Sequence, residues 1–272
     1  SASTYRGTDM RGGANGARIR LAPQNQWAIN NPDALSEVIA VLAEVRDGFN
    51  SGLSRGKRVS LADVIVLAGN VGVEQAAEEF GVEVSIPFTP GRVDAIEGSL
   101  DDTSWSVMEP RHDGFRNYMA DLGFMTPSQA LIDKADMLNL TVSEMTVLLG
   151  GMRAMNANAD ESDRGVLTDR PGVLSNDFFV NLLDMNTAWG PSSEAYVFEG
   201  RDRQTGDLKW TATEFDLVFG SNSELRSVAE FYAFDESRHW FIKDFASAWT
   251  KVMDADRFDI EDSGNVVVSV AQ

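Results

Sequence analysis

The segment Leu148-Leu149-Gly150-Gly151-Met152-Arg153-Ala154-Met155 closes a helix that opens at Thr141, where Thr141-Val142-Ser143-Glu144 has the form of a capping box. Within this helix Arg153 shares a stripe with Met145, Leu149 and Met152, so the spacing sets a guanidinium on the apolar side. Two readings follow. A cation near a helix C-terminus is favoured by the dipole and can point to water; on an apolar face it can instead be buried, provided that a carboxylate meets it. In either case the group is permanently protonated and offers no lone pair to a metal.

Other helix openings lie on both sides. Asn31-Pro32 sets an N-cap before a proline at the first helical position, and Leu35, Val38, Ile39, Leu42 and Val45 follow on one face. Ser60 with Asp63 opens a helix over Leu61-Ala62-Asp63-Val64-Ile65-Val66-Leu67-Ala68, apolar nearly all round, which predicts a path through the core. A companion helix runs from Val73 to Phe80 and stops at Gly81. Thr126-Pro127-Ser128-Gln129 is a second capping box, Ser175 caps a helix from Asn176 to Met185, and Ser221-Asn222-Ser223-Glu224 opens another. Asp235 caps the last helix, which reaches Met253 with Trp240, Phe241, Phe245, Trp249 and Val252 as its stripe.

The strand signal is one hairpin, Tyr196-Val197-Phe198-Glu199 with Leu208-Lys209-Trp210-Thr211, joined by a polar loop containing Gly206. No solenoid repeat and no low-complexity linker interrupts the pattern. The expected architecture is a single all-α domain with one small β-hairpin over residues 1–260, followed by a tail or edge strand at 261–272 that contains Val266-Val267-Val268.

Composition narrows the function. Forty-two acidic against 23 basic residues give a net charge of −19, which disfavours the nucleic-acid backbone and anionic membrane surfaces as partners. The absence of cysteine rules out disulfides and thiolate chemistry. No apolar run approaches the ~20 residues of a membrane span, and Ser1-Ala2-Ser3-Thr4-Tyr5-Arg6 lacks an apolar signal region, so the default location is the cytoplasm. His112 and His239 are the only histidines. With no second ligand at metal spacing beside either, both read as surface or rim residues.

Taken in order, several blocks resemble the class I haem peroxidases, and specifically the bacterial and archaeal catalase-peroxidases. They are Arg11-Gly12-Gly13-Ala14-Asn15-Gly16-Ala17-Arg18, Ala22-Pro23-Gln24-Asn25-Gln26-Trp27, the Leu61 to Asn70 helix, the Arg153 helix, Ser175 to Leu183, and Asp216-Leu217. The resemblance implies a haem-peroxidase-like helical fold and places Arg153 at the position of the proximal histidine that ligates haem iron. It places Leu167 at the proximal tryptophan, Asp216 at the aspartate that bonds the proximal histidine, and Asn25 at the asparagine that orients the distal histidine. It also implies that Ser1 falls just after the distal helix segment, which the sequence lacks.

Catalase-peroxidases carry two such domains, the second without haem, and this chain resembles the second. The resemblance therefore implies no catalytic, cofactor or metal site in this chain, with haem b in the N-terminal domain of the full enzyme. That domain is the implied partner, within a homodimer. A buried Asp216 carboxylate without a histidine would need another partner, and Arg153 is suited to pair with it by parallel hydrogen bonds. The alternative is a divergent haem peroxidase active in its own right with a non-histidine ligand. Met152 is then the nearest candidate, although on a helix it points about 100° away from Arg153.

Overall fold

A computed structural model describes residues 1–54, 56–98, 105–260 and 267–270. Among these, eight α-helices form the body: α1 (Pro32–Ser51), α2 (Leu61–Glu79), α3 (Pro127–Met137), α4 (Val142–Ala154), α5 (Asp177–Leu182), α6 (Glu214–Ser221), α7 (Ser223–Ala233) and α8 (Arg238–Met253). Strands are short. Val82–Ser85 (β1) pairs antiparallel with Val267–Val270 (β7), and His112–Asp113 (β2) with Tyr118–Met119 (β3). Thr187–Pro191 (β4), Val197–Asp202 (β5) and Leu208–Thr213 (β6) form a three-stranded antiparallel sheet. The β5–β6 pair is the hairpin read from the sequence; β4 extends it by one strand. Of the 261–272 segment, residues 261–266 and 271–272, and with them Val266, lie outside the described residues, as do residues 55 and 99–104.

The helix openings show why the elements begin where they do. Thr126 and Thr141 both form complete capping boxes, satisfying two of the donors that a helix start leaves open. At α4 the Thr141 hydroxyl accepts from Glu144 N–H at 3.3 Å, and the Glu144 carboxylate accepts from Thr141 N–H at 2.7 Å and from Lys251 of α8 at 2.8 Å. Thr141→Ala should therefore lower stability by about 1 kcal/mol in denaturant unfolding; an unchanged midpoint would mean that water caps this end equally well. At α1, Pro32 occupies the first turn as expected, but the Asn31 side chain turns away to Glu161 and makes no cap bond. Ser175 stands one residue farther out than expected, since Asn176 is the residue preceding α5.

Two further readings change in the folded chain. The Leu61 and Val73 segments are one continuous helix, α2, because neither Gly69 nor Gly72 breaks it. Gly69 instead makes room for Trp249, whose ring carbon would lie 3.1 Å from a Cβ placed there. The α1 stripe is the second. None of its residues is buried; Ile39 and Leu42 are half-covered against Ala17, Leu61, Ala62 and Val64, whereas Val38 and Val45 face solvent.

The core centres on α4. Met145 and Val147 to Gly151 are buried along it, and α4 packs against α5, α7 and α8. Phe178 and Phe179 of α5, Tyr232 of α7, and Phe241 and Phe245 of α8 join in a chain of edge and tilted ring contacts around it. Close approach requires the two glycines of α4: a Cβ on Gly150 would lie 2.3 Å from the Phe179 ring, and one on Gly151 would lie 2.3 Å from the Phe245 ring. This packing holds the last turn of α4, and with it Arg153, deep in the domain.

Candidate functional site

Arg153 ends α4 with no solvent exposure, and so does Asp216 in the first turn of α6. Between them Arg153 Nε donates to Asp216 Oδ1 at 2.7 Å. The other two guanidinium nitrogens donate to backbone carbonyls, Nη1 to Phe115 O at 2.8 Å and Nη2 to Gly114 O at 2.7 Å. The second carboxylate oxygen, Oδ2, accepts from Thr213 N–H at 2.7 Å, with the Thr213 hydroxyl 3.0 Å away. Each charge thus has its opposite and several dipoles around it, the condition under which a buried ion pair is tolerated.

The surrounding loops are shaped to fit. Gly114 lies in a 3₁₀ turn, Gly114–Arg116, where a Cβ would lie 2.7 Å from a Leu131 methyl. Gly165, at φ +76°, backs directly onto the Asp216 carboxylate, with its missing Cβ position 2.6 Å from Oδ2. Asp113, fully buried at the start of the turn, accepts from Phe115 N–H at 3.1 Å and from Arg116 Nε at 3.0 Å. Burial alone would raise its carboxyl, but Arg116 and Lys134 outweigh this and hold it below the ordinary carboxylate range. Lys134 is buried too, bonded to Ser3 O, and burial pushes its ammonium down.

The structure brings Arg153 and Asp216 together. Leu167 is fully buried in the same core, two residues from Gly165, and its carbonyl accepts from Asn181 at 2.9 Å. Asn25 lies in a separate N-terminal loop, where its amide donates to Arg20 O at 3.3 Å and its Oδ1 has no partner. His239 is exposed against Trp240. His112 is half-buried in β2, its Nδ1 without a partner, and burial lowers its pKa. Met152 lines a cleft of about 220 Å³ with Phe115, Leu148 and Trp249.

Three participants escaped the sequence reading. The carbonyls of Gly114 and Phe115 carry no side-chain signal, but Thr213-Glu214-Phe215-Asp216 has the spacing of a helix start and could have located Thr213. Among the described residues, no three His, Asp or Glu side chains are grouped to hold a metal ion, and no helix is long and apolar enough to cross a membrane.

Haem does not fit the donor set at Arg153. Iron needs an imidazole, thiolate, thioether or phenolate, whereas the Arg153 guanidinium has no lone pair to offer and is bonded to a carboxylate and two carbonyls. The cleft beside Met152 is smaller than the ~300–1,000 Å³ typical of cofactor sites.

Comparison with known proteins places this geometry in a lineage. The family model described as peroxidase matches residues 4–235. The chain is 57% identical over 262 residues to catalase-peroxidase 2 of Legionella pneumophila strain Lens, covering 96% of this chain and 35% of that protein. It is 59% identical over 261 residues to the catalase-peroxidase of Hahella chejuensis, covering 96% and 36%, and 57% identical over 262 residues to that of Bradyrhizobium sp. strain ORS 278, again covering 96% and 36%. The chain thus spans about a third of the length of the curated relatives it matches. A helical body built around α4, a matched region that takes in both Arg153 and Asp216, and more than half of all residues shared with each of these proteins lead to one conclusion: the chain belongs to the peroxidase family.

Proposed function

We propose that this chain is the non-catalytic, haem-free C-terminal domain of a catalase-peroxidase, supporting the N-terminal haem domain that decomposes hydrogen peroxide and oxidises donors. The observation that carries this reading is the buried Arg153, whose guanidinium is committed to Asp216, Phe115 and Gly114. In the resemblance set out above, that is where the iron ligand would stand. Asp216, which would support a histidine from the second coordination layer, is instead neutralised by an arginine. On this reading the whole enzyme is a cytoplasmic homodimer with haem b in its other domain, and the positions of Leu167 and Asn25 are inherited without their former roles.

Peroxide turnover tests the proposal. The purified chain mixed with hemin should decompose hydrogen peroxide and oxidise a chromogenic donor no faster than the same amount of free hemin. Turnover well above that baseline, rising with chain concentration up to one equivalent, would refute it.

A further inference from the structure

Helix α1 runs for 20 residues without burying one of them. Its apolar contacts with the body run through Ile39, Leu42 and Ala43. Beside that face Val38, Val41, Val45 and Phe49, spaced by three and four residues, stand 55–59% exposed as one continuous stripe. Leu67 and Val71 of α2 are also exposed, at 43% and 52%. A groove of about 620 Å³ is lined by apolar side chains of both helices and of the neighbouring loops, among them Val45, Phe49, Leu53, Leu67 and Phe88. Contiguous apolar surface of this kind on a folded domain marks an interaction site.

Lys57 and Arg58 also line the groove. Both are exposed, and neither forms an ion pair with a described carboxylate. The expected occupant is therefore an apolar ridge flanked by carboxylates. A second copy of this chain fits less well, because its matching groove would bring the same cations and another charge of −19 against the first. The relatives indicate another source: they match 96% of this chain within 35–36% of their own length, so a polypeptide of that kind has much more chain to pack.

We propose that the α1–α2 groove is the surface on which the companion portion of the same polypeptide docks, its apolar ridge covering Val45 and Phe49 and its carboxylates meeting Lys57 and Arg58. This rests on the reading of the chain as one domain of a two-domain enzyme. On this view α1 gains a second packed face once the partner is present.

Hydrogen exchange provides the test, comparing the 272-residue chain with a longer polypeptide that carries the companion portion. The backbone amides of α1 after Pro32 should exchange at least about tenfold more slowly in the longer polypeptide. The paired substitution Val45→Gln with Phe49→Gln should leave the melting temperature of the 272-residue chain unchanged and lower that of the longer polypeptide by several degrees. Phe124→Gln, at a position 94% exposed outside the groove, should change neither. Equal exchange in both forms would overturn the proposal. So would concentration-dependent dimerisation of the 272-residue chain that the paired substitution abolishes, since the occupant would then be a second copy. Hemin titration of the chain reads the haem-free assignment separately: stoichiometric binding with α1 still protected would refute that assignment and leave the docking surface standing.

Discussion

Arg153→Ala is expected to lower the unfolding free energy by about 3–5 kcal/mol, because it strands a fully buried carboxylate. Asp216 would keep its bonds from Thr213 and lose its only counter-charge, while the carbonyls of Gly114 and Phe115 would lose their donors. An unpaired buried charge cannot recover that loss by packing. Arg203 provides the control: it is exposed, its guanidinium donates to Met185 O, and its replacement by alanine should change stability by less than about 0.5 kcal/mol. Replacing Arg153 and Asp216 together by apolar residues should recover part of the loss, as removing both charges of a buried pair can be nearly neutral. Recovery will be incomplete, since the two carbonyls and Thr213 N–H would remain unsatisfied. Urea unfolding of the four proteins checks this; a single mutant as stable as the Arg203 variant would mean that water reaches the pair.

Gly151→Ala carries the second-largest effect, and its sign opposes helix propensity. In an open helix, alanine is favoured over glycine by about 1 kcal/mol. At Gly151, however, the new methyl would lie 2.3 Å from the Phe245 ring and 2.8 Å from Leu174, both fully buried. Overpacking of this kind typically costs about 1–3 kcal/mol, and here the ring cannot retreat without displacing α8 from α4. Net destabilisation of up to about 2 kcal/mol is expected. Gly48 in α1 has no atom within 4 Å of a Cβ position, so Gly48→Ala should instead stabilise slightly. Opposite signs in thermal melts would support the account; equal signs would count against the close contact of α4 and α8.

What the sequence made legible was mostly local. The Thr126 and Thr141 capping boxes depend on residues three apart, and both form as read. Asp216 and Arg153 could be singled out together only through the resemblance, because 63 residues separate them. Two of Arg153's three acceptors are backbone atoms 38 and 39 residues away, which no side-chain pattern marks. Strand β4, Thr-Ala-Trp-Gly-Pro, contains a glycine and a proline and so lacks the alternation of a strand; pairing with β5 makes it one. The α1 stripe was legible as apolar, but periodicity tells which residues share a face and not what covers it. The Leu61 and Val73 segments, read as two helices, are one, since Gly69 and Gly72 sit inside α2 without breaking it.

On the proposed reading, Arg153 holds a permanent charge where haem iron would otherwise be anchored. Titration of the purified chain with hemin, followed at the Soret band, tests it most directly. The account predicts only the weak, unsaturating spectrum of free and non-specifically bound hemin, with Arg153 and Asp216 still paired. A shifted band that saturates at one equivalent would contradict it.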